Sequence, residues 1–74
     1  MGPVLGIDPG IHATGYGVIQ SKGSQLITIT YGVIRSKPDE GLSDRLLRIF
    51  EALVEVIDTA TPSDCAIETV FNAK

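Results

Sequence analysis

The sequence predicts an α/β fold: three antiparallel strands, one helix, and a fourth strand parallel to the first. Three observations carry this prediction. Up to Arg35 the chain reads as short apolar runs separated by turn signals. Leu46, Ile49, Phe50, Leu53, Val54 and Ile57 then recur at helical spacing. A new apolar run begins at Cys65, where a crossover connection returns the chain alongside a strand already in the sheet.

In the first strand, Pro3-Val4-Leu5-Gly6-Ile7 closes at Asp8-Pro9-Gly10. Pro9 holds Asp8 in extended geometry, so Asp8 is expected to be the last strand residue. Gly10 is expected to supply a positive φ to the turn. The second strand is Gly15-Tyr16-Gly17-Val18-Ile19, followed by the hairpin signal Ser21-Lys22-Gly23-Ser24. The third runs from about Gln25 to Arg35, with Ile27, Ile29, Tyr31 and Val33 on one face at period two. Lys37-Pro38-Asp39-Glu40-Gly41 is a loop, Ser43 the expected N-cap, and Asp44 a first-turn acid. The helix is expected over 44–59, stopping before Pro62, with Arg45, Arg48, Glu51, Glu55 and Asp58 on its polar side. Cys65-Ala66-Ile67 opens the fourth strand, which carries Glu68.

The chain has 74 residues, 43% of them hydrophobic and 20% charged, a composition that builds a core and argues against disorder. No apolar run approaches the roughly 18 residues of a membrane-spanning helix. One cysteine excludes an internal disulfide framework, and no Cys/His cluster points to zinc. The N-terminus lacks the basic region of a signal peptide, so a cytoplasmic protein with a reduced thiol is expected. Small chains bury a modest fraction of their surface, and a sheet with a parallel strand is normally covered on both faces. One helix covers one face. Residues 1–74 are therefore expected to be a piece of something larger, which the resemblance drawn below makes the N-terminal part of a single domain. Net charge is −3, and the cations Lys22, Arg35, Lys37, Arg45, Arg48 and Lys74 are spread along the sequence, which argues against a stand-alone nucleic-acid binder.

Asp8 and Glu68 are the candidate residues for chemistry. If the fourth strand lies parallel beside the first, the two carboxylates share the C-terminal edge of the sheet, where α/β folds bind ligands. Acids held that close repel, and a divalent cation relieves the repulsion; Mg²⁺ ions so held support phosphodiester hydrolysis. The competing reading makes Asp8 a turn residue before Pro-Gly and pairs Glu68 with Lys74 or Arg35. His12, near the proposed mouth, reads as an acid or base, or as a solvated loop histidine. Cys65 reads as a small buried apolar residue. Gly15-Tyr16-Gly17 lacks the third glycine and the following helix of a dinucleotide fingerprint. Phe71 reads either as a stacking surface for an unpaired base or as core.

Leu5-Gly6-Ile7-Asp8-Pro9-Gly10, Thr14-Gly15-Tyr16-Gly17-Val18-Ile19 and Ala66-Ile67-Glu68-Thr69-Val70-Phe71-Asn72-Ala73-Lys74 together closely resemble the bacterial RuvC-type Holliday junction resolvases. The lead-in Leu42-Ser43-Asp44-Arg45-Leu46 fits that family as well. The resemblance implies an RNase H-like fold with strand order three-two-one-four-five. It implies a Mg²⁺-dependent endodeoxyribonuclease, with Mn²⁺ as an alternative ion, that cuts four-way junctions as a homodimer alongside a branch-migration complex of the RuvA and RuvB type. Of the family's four carboxylates, Asp8 matches the first and Glu68 the second, and Phe71 matches the aromatic residue that contacts the junction. The family continues well beyond these motifs to the other two acids, so this chain by itself is expected not to cleave junctions. Two other readings remain open at this level. Actin-like ATPases and sugar kinases grip phosphates with a similar Gly-Ile-Asp-x-Gly turn, and a non-catalytic association module would use the bare sheet face.

Overall fold

The computed structural model describes residues 2–10 and 12–68. Strands β1 (Val4–Asp8), β2 (Ala13–Lys22) and β3 (Gln25–Arg35) precede helix α1 (Leu42–Ala60) and strand β4 (Asp64–Ile67). They form one sheet in the order β3-β2-β1-β4, antiparallel except for the parallel pair β1–β4. This is the arrangement that the hairpin and crossover signals require.

Cross-strand pairing sets which residues share a face. Leu5 lies opposite Val18, and Thr14 opposite Ile34. These four are the buried residues of the described chain, on the side that faces α1. The phenol of Tyr16 lies over Gly32 on the same side: a Cβ at Gly32 would come within 2.7 Å of the ring carbon Cζ. Absence of a side chain at Gly32 is what lets the ring lie flat there.

The helix departs from expectation at its start. Gly41, extended at φ −71° and ψ 164°, is the N-cap in place of Ser43, and no side chain caps the first turn. The Gly41 carbonyl accepts the Arg45 N–H at 3.0 Å, so the helical hydrogen bonds begin two residues before the position that Ser43 would set. At the other end Thr61 takes the left-handed conformation (φ 44°) and donates its N–H to Ile57, with Pro62 preventing continuation. The apolar stripe is only partly used. Ile49 and Leu53 are half-buried, whereas Leu46, Phe50, Val54 and Ile57 stay exposed, because α1 lies chiefly against β3 and leaves the β1–β4 side uncovered.

Two further expectations change. β2 extends beyond Gly15–Ile19 at both ends, and its pairing with β3 slips between Val18 and Ile19, so that Val18 faces Thr30 and Ile19 faces Thr28. That bulge splits the face expected for β3. Ile27 lies opposite Gln20 and Ile29 lines a cavity with Glu55 and Thr59 of the helix, while Tyr31 and Val33 fall on the opposite face. Cys65, expected in the core, is exposed on the edge strand β4. Gly23, at φ 65°, carries the positive φ of the β2–β3 hairpin; Gly10 does not adopt one.

One ion pair ties the β3–α1 loop to the helix. Glu40 Oε2 accepts from Arg48 Nε at 2.9 Å and Nη2 at 2.5 Å, and its Oε1 accepts the Lys37 N–H at 2.9 Å. The Arg48 guanidinium, then the Lys37 amide, hold the Glu40 carboxyl below its ordinary value. The stabilisation is therefore complete above the ordinary glutamate pKa of about 4.3 and is lost as pH falls through the lower folded value. Thermal melts across that acid range are expected to fall more steeply for the native chain than for Glu40→Gln. Parallel curves would remove the pair as a source of acid sensitivity.

Candidate metal centre

Asp8 and Glu68 come together through the parallel register. Val4 to Ile7 pair with Asp64 to Ile67, and the Glu68 N–H continues the ladder onto the Ile7 carbonyl at 3.0 Å. Glu68 thus stands just beyond the end of β4, which was expected to carry it, and next to Asp8. Strand neighbours lie about 4.8 Å apart and alternate faces, so the two carboxylates occupy adjacent positions on one face. That face is the one α1 leaves open.

The floor beside them is small. Gly6 pairs with Gly17 and Ala66, and Asp8 pairs with Gly15. These residues and both acids, together with Ile7, Tyr16, Gly32 and Ile67, line an open concavity of about 500 Å³. A Cβ at Gly15 or Gly17 would meet its nearest neighbour at 4.0 or 3.9 Å, an ordinary contact. The glycines therefore keep the floor low without being forced by backbone crowding. Tyr31 and Val33, opposite Gly17 and Gly15, rise beside it on the same face and are exposed.

Among the described residues neither Asp8 nor Glu68 forms an ion pair or a side-chain hydrogen bond, so the expected alternative of Glu68 pairing with Arg35 is absent. Two exposed, unneutralised carboxylates at adjacent positions suit a hard divalent cation, which takes oxygen ligands and keeps part of its water shell. No cluster of three or more metal-ligating side chains occurs among the described residues. The two acids alone do not make a closed cage.

The other candidates fall elsewhere. His12 is exposed and lines a separate concavity with Arg35 and Lys37, away from the mouth where it was expected. Phe71, and Lys74 as a partner for Glu68, lie outside the described residues. Sequence reading missed that concavity: it treated the cations as scattered, although Arg35, Lys37 and Arg45 fall within one stretch, and the close of β3 against the start of β2 adds His12 to them.

A family model described as crossover junction endodeoxyribonuclease RuvC matches residues 4–74. The chain belongs to the RuvC family. The enzyme of that name from Shewanella amazonensis is 50% identical over 74 residues, all of this chain and 42% of its own length. That from Treponema pallidum is 45% identical over 71 residues, 96% of this chain and 36% of its own length. The solved Thermus thermophilus RuvC superposes with a TM-score of 0.85 at 32% identity, over 97% of this chain and 45% of that one. A second structure, of the same protein in complex with a Holliday junction substrate, superposes equally well at 31% identity. The chain spans about two fifths of the length of these curated relatives. With the RuvC structures it shares the mixed sheet, with β1 parallel to β4, of an RNase H-like fold. The family match runs through Ala66–Phe71, which the ATPase reading left without explanation, and so displaces that reading. Among the described residues no helix is long and apolar enough to cross a membrane.

Proposed function

We propose that this chain forms the N-terminal part of one RNase H-like nuclease domain that hydrolyses phosphodiester bonds at four-way DNA junctions, with Asp8 and Glu68 as two of its divalent-cation ligands. The observation that carries the reading is the adjacency of these two unneutralised carboxylates on an open face with a glycine floor. Mg²⁺ is the ion proposed, with Mn²⁺ as a substitute, and when bound it supplies activation of water and charge stabilisation at the leaving oxygen. The chain's own residues do the rest. Asp8 and Glu68 fix the ion at the sheet edge, and the low floor of Gly6, Gly15 and Gly17 lets a nucleic-acid backbone approach them. Phe71 is proposed to stack on an unpaired base of the junction. The whole enzyme is proposed to act on junction DNA, which the junction-bound Thermus relative supports, and, on the family resemblance alone, to do so as a homodimer with a branch-migration complex.

Mn²⁺ titration of the isotopically labelled chain tests the ligand assignment. Paramagnetic broadening is expected first at Asp8, Glu68 and the flanking glycines. Broadening centred elsewhere, or none at millimolar Mn²⁺, would overturn it.

A further inference from the structure

A second site stands at the same end of the sheet as the acids. Arg35, Lys37 and Arg45 line a concavity of about 440 Å³ with His12 at its rim. Two stretches far apart in sequence build it, His12 and residues 35–45, and specific bonds hold them together: the His12 carbonyl accepts both the Ser36 N–H at 3.0 Å and the Ser36 hydroxyl at 3.2 Å. With Arg48 on the neighbouring surface, four of the chain's six Lys and Arg residues gather here, in a protein of net charge −3. Among the described residues, the side chains of Arg35 and Lys37 form no salt bridge. Of the two carboxylates lining the concavity, Glu40 is bound to Arg48 and to the Lys37 amide, which leaves Asp39 as the opposing charge.

Register relates this patch to the acid pair. Asp8 lies opposite Gly15 and Gly15 opposite Val33; two residues on, Ala13 lies opposite Arg35. By strand alternation Arg35 is on the face of Asp8, two strands and two residues away (roughly 12 Å), while Glu68, beyond β1 on the far edge, is three strands away (roughly 16 Å). Two bare carboxylates repel a phosphodiester, and a nearby cluster of cations offsets that repulsion and holds the strand beside them. We propose that Arg35, Lys37 and Arg45, flanked by His12, form a docking patch for the phosphate backbone of the DNA strand that enters the acid pair. The identity of the polyanion rests on the nuclease reading; the patch itself rests on the gathered charges.

Fluorescence anisotropy of a labelled four-way junction with the 74-residue chain, in EDTA and across a range of salt, tests this without metal or cleavage. The double variant Arg35→Gln/Lys37→Gln is expected to flatten the dependence of log K on log salt by about two, and to weaken binding roughly 10- to 100-fold at about 0.1 M salt. Asp39→Asn is expected to tighten binding severalfold; asparagine tolerates the left-handed backbone found there (φ 63°), so this gain also separates charge from misfolding. An unchanged slope in the double variant, no gain in Asp39→Asn, or no DNA binding by the native chain at about 20 mM salt would overturn the patch. Since EDTA silences the acid pair, a failed Mn²⁺ titration with an intact salt effect removes the metal-nuclease reading alone. The converse removes the patch alone.

Discussion

Asp8→Asn is expected to lower the Mn²⁺ affinity of this chain by at least about 10- to 100-fold while leaving the sheet intact. Losing even an outer partner of a metal ligand costs about that much, so losing a direct carboxylate costs no less. The fold should survive because Asp8 is exposed, makes no side-chain hydrogen bond or ion pair among the described residues, and sits at the end of β1. Glu68→Gln is expected to have a comparable effect for the same reasons. The double variant is the sharper test. If one ion is shared by both carboxylates, either single change removes most of the binding and the second adds little, a non-additive result. If each acid acts alone, the losses add. Calorimetric titration of the native chain, both single variants and the double variant distinguishes these cases. Additive losses would sink the shared centre even if each acid binds metal.

The adjacency of Asp8 and Glu68 was legible in the sequence because the two positions depend on strong local signals. Asp8 is placed by the proline after it, and Glu68 by a crossover helix that makes β4 parallel to β1; neither inference needs the details of packing. What sequence could not show depends on contacts between distant segments. The slip between Val18 and Ile19 sends Ile27 to the helix side of the sheet and Tyr31 to the acid side, because one extra residue breaks a period of two. The helix begins at Leu42 with Gly41 as its cap, although Ser43 has the better capping side chain: extended geometry at Gly41 and its bond to Arg45 decide the boundary. Arg35, Lys37 and Arg45 stand in one stretch of the sequence, but that they share a concavity with His12 depends on the close of β3 against the start of β2, which the Ser36–His12 bonds hold.

Gly10 shows the same division between local signal and tertiary contact, and it yields the largest expected loss of stability. The sequence suggested that glycine is needed there for a positive φ, which the structure does not show. Crowding is the reason instead: a Cβ at Gly10 would fall well inside 3.0 Å of the Ala13 carbonyl oxygen. That oxygen belongs to the backbone at the start of β2, so it cannot swing aside, and the β1–β2 connection must reshape. Gly10→Ala is expected to destabilise the chain by about 2–3 kcal/mol, at the upper end for overpacking. In a chain of this size that lowers Tm by roughly 10–20 °C. Gly32→Ala meets a close neighbour too, but that neighbour is the Tyr16 phenol, a side chain that can rotate, so a loss of about 1 kcal/mol is expected. Gly17→Ala, whose nearest contact is an ordinary 3.9 Å, should be the mildest of the three. Urea denaturation of the three variants reads this order directly. Because the turn also positions Asp8, Gly10→Ala should weaken Mn²⁺ binding in whatever fraction remains folded. A Gly10→Ala chain as stable as Gly17→Ala would mean that the turn has room to yield and that Asp8 is held by β1 alone.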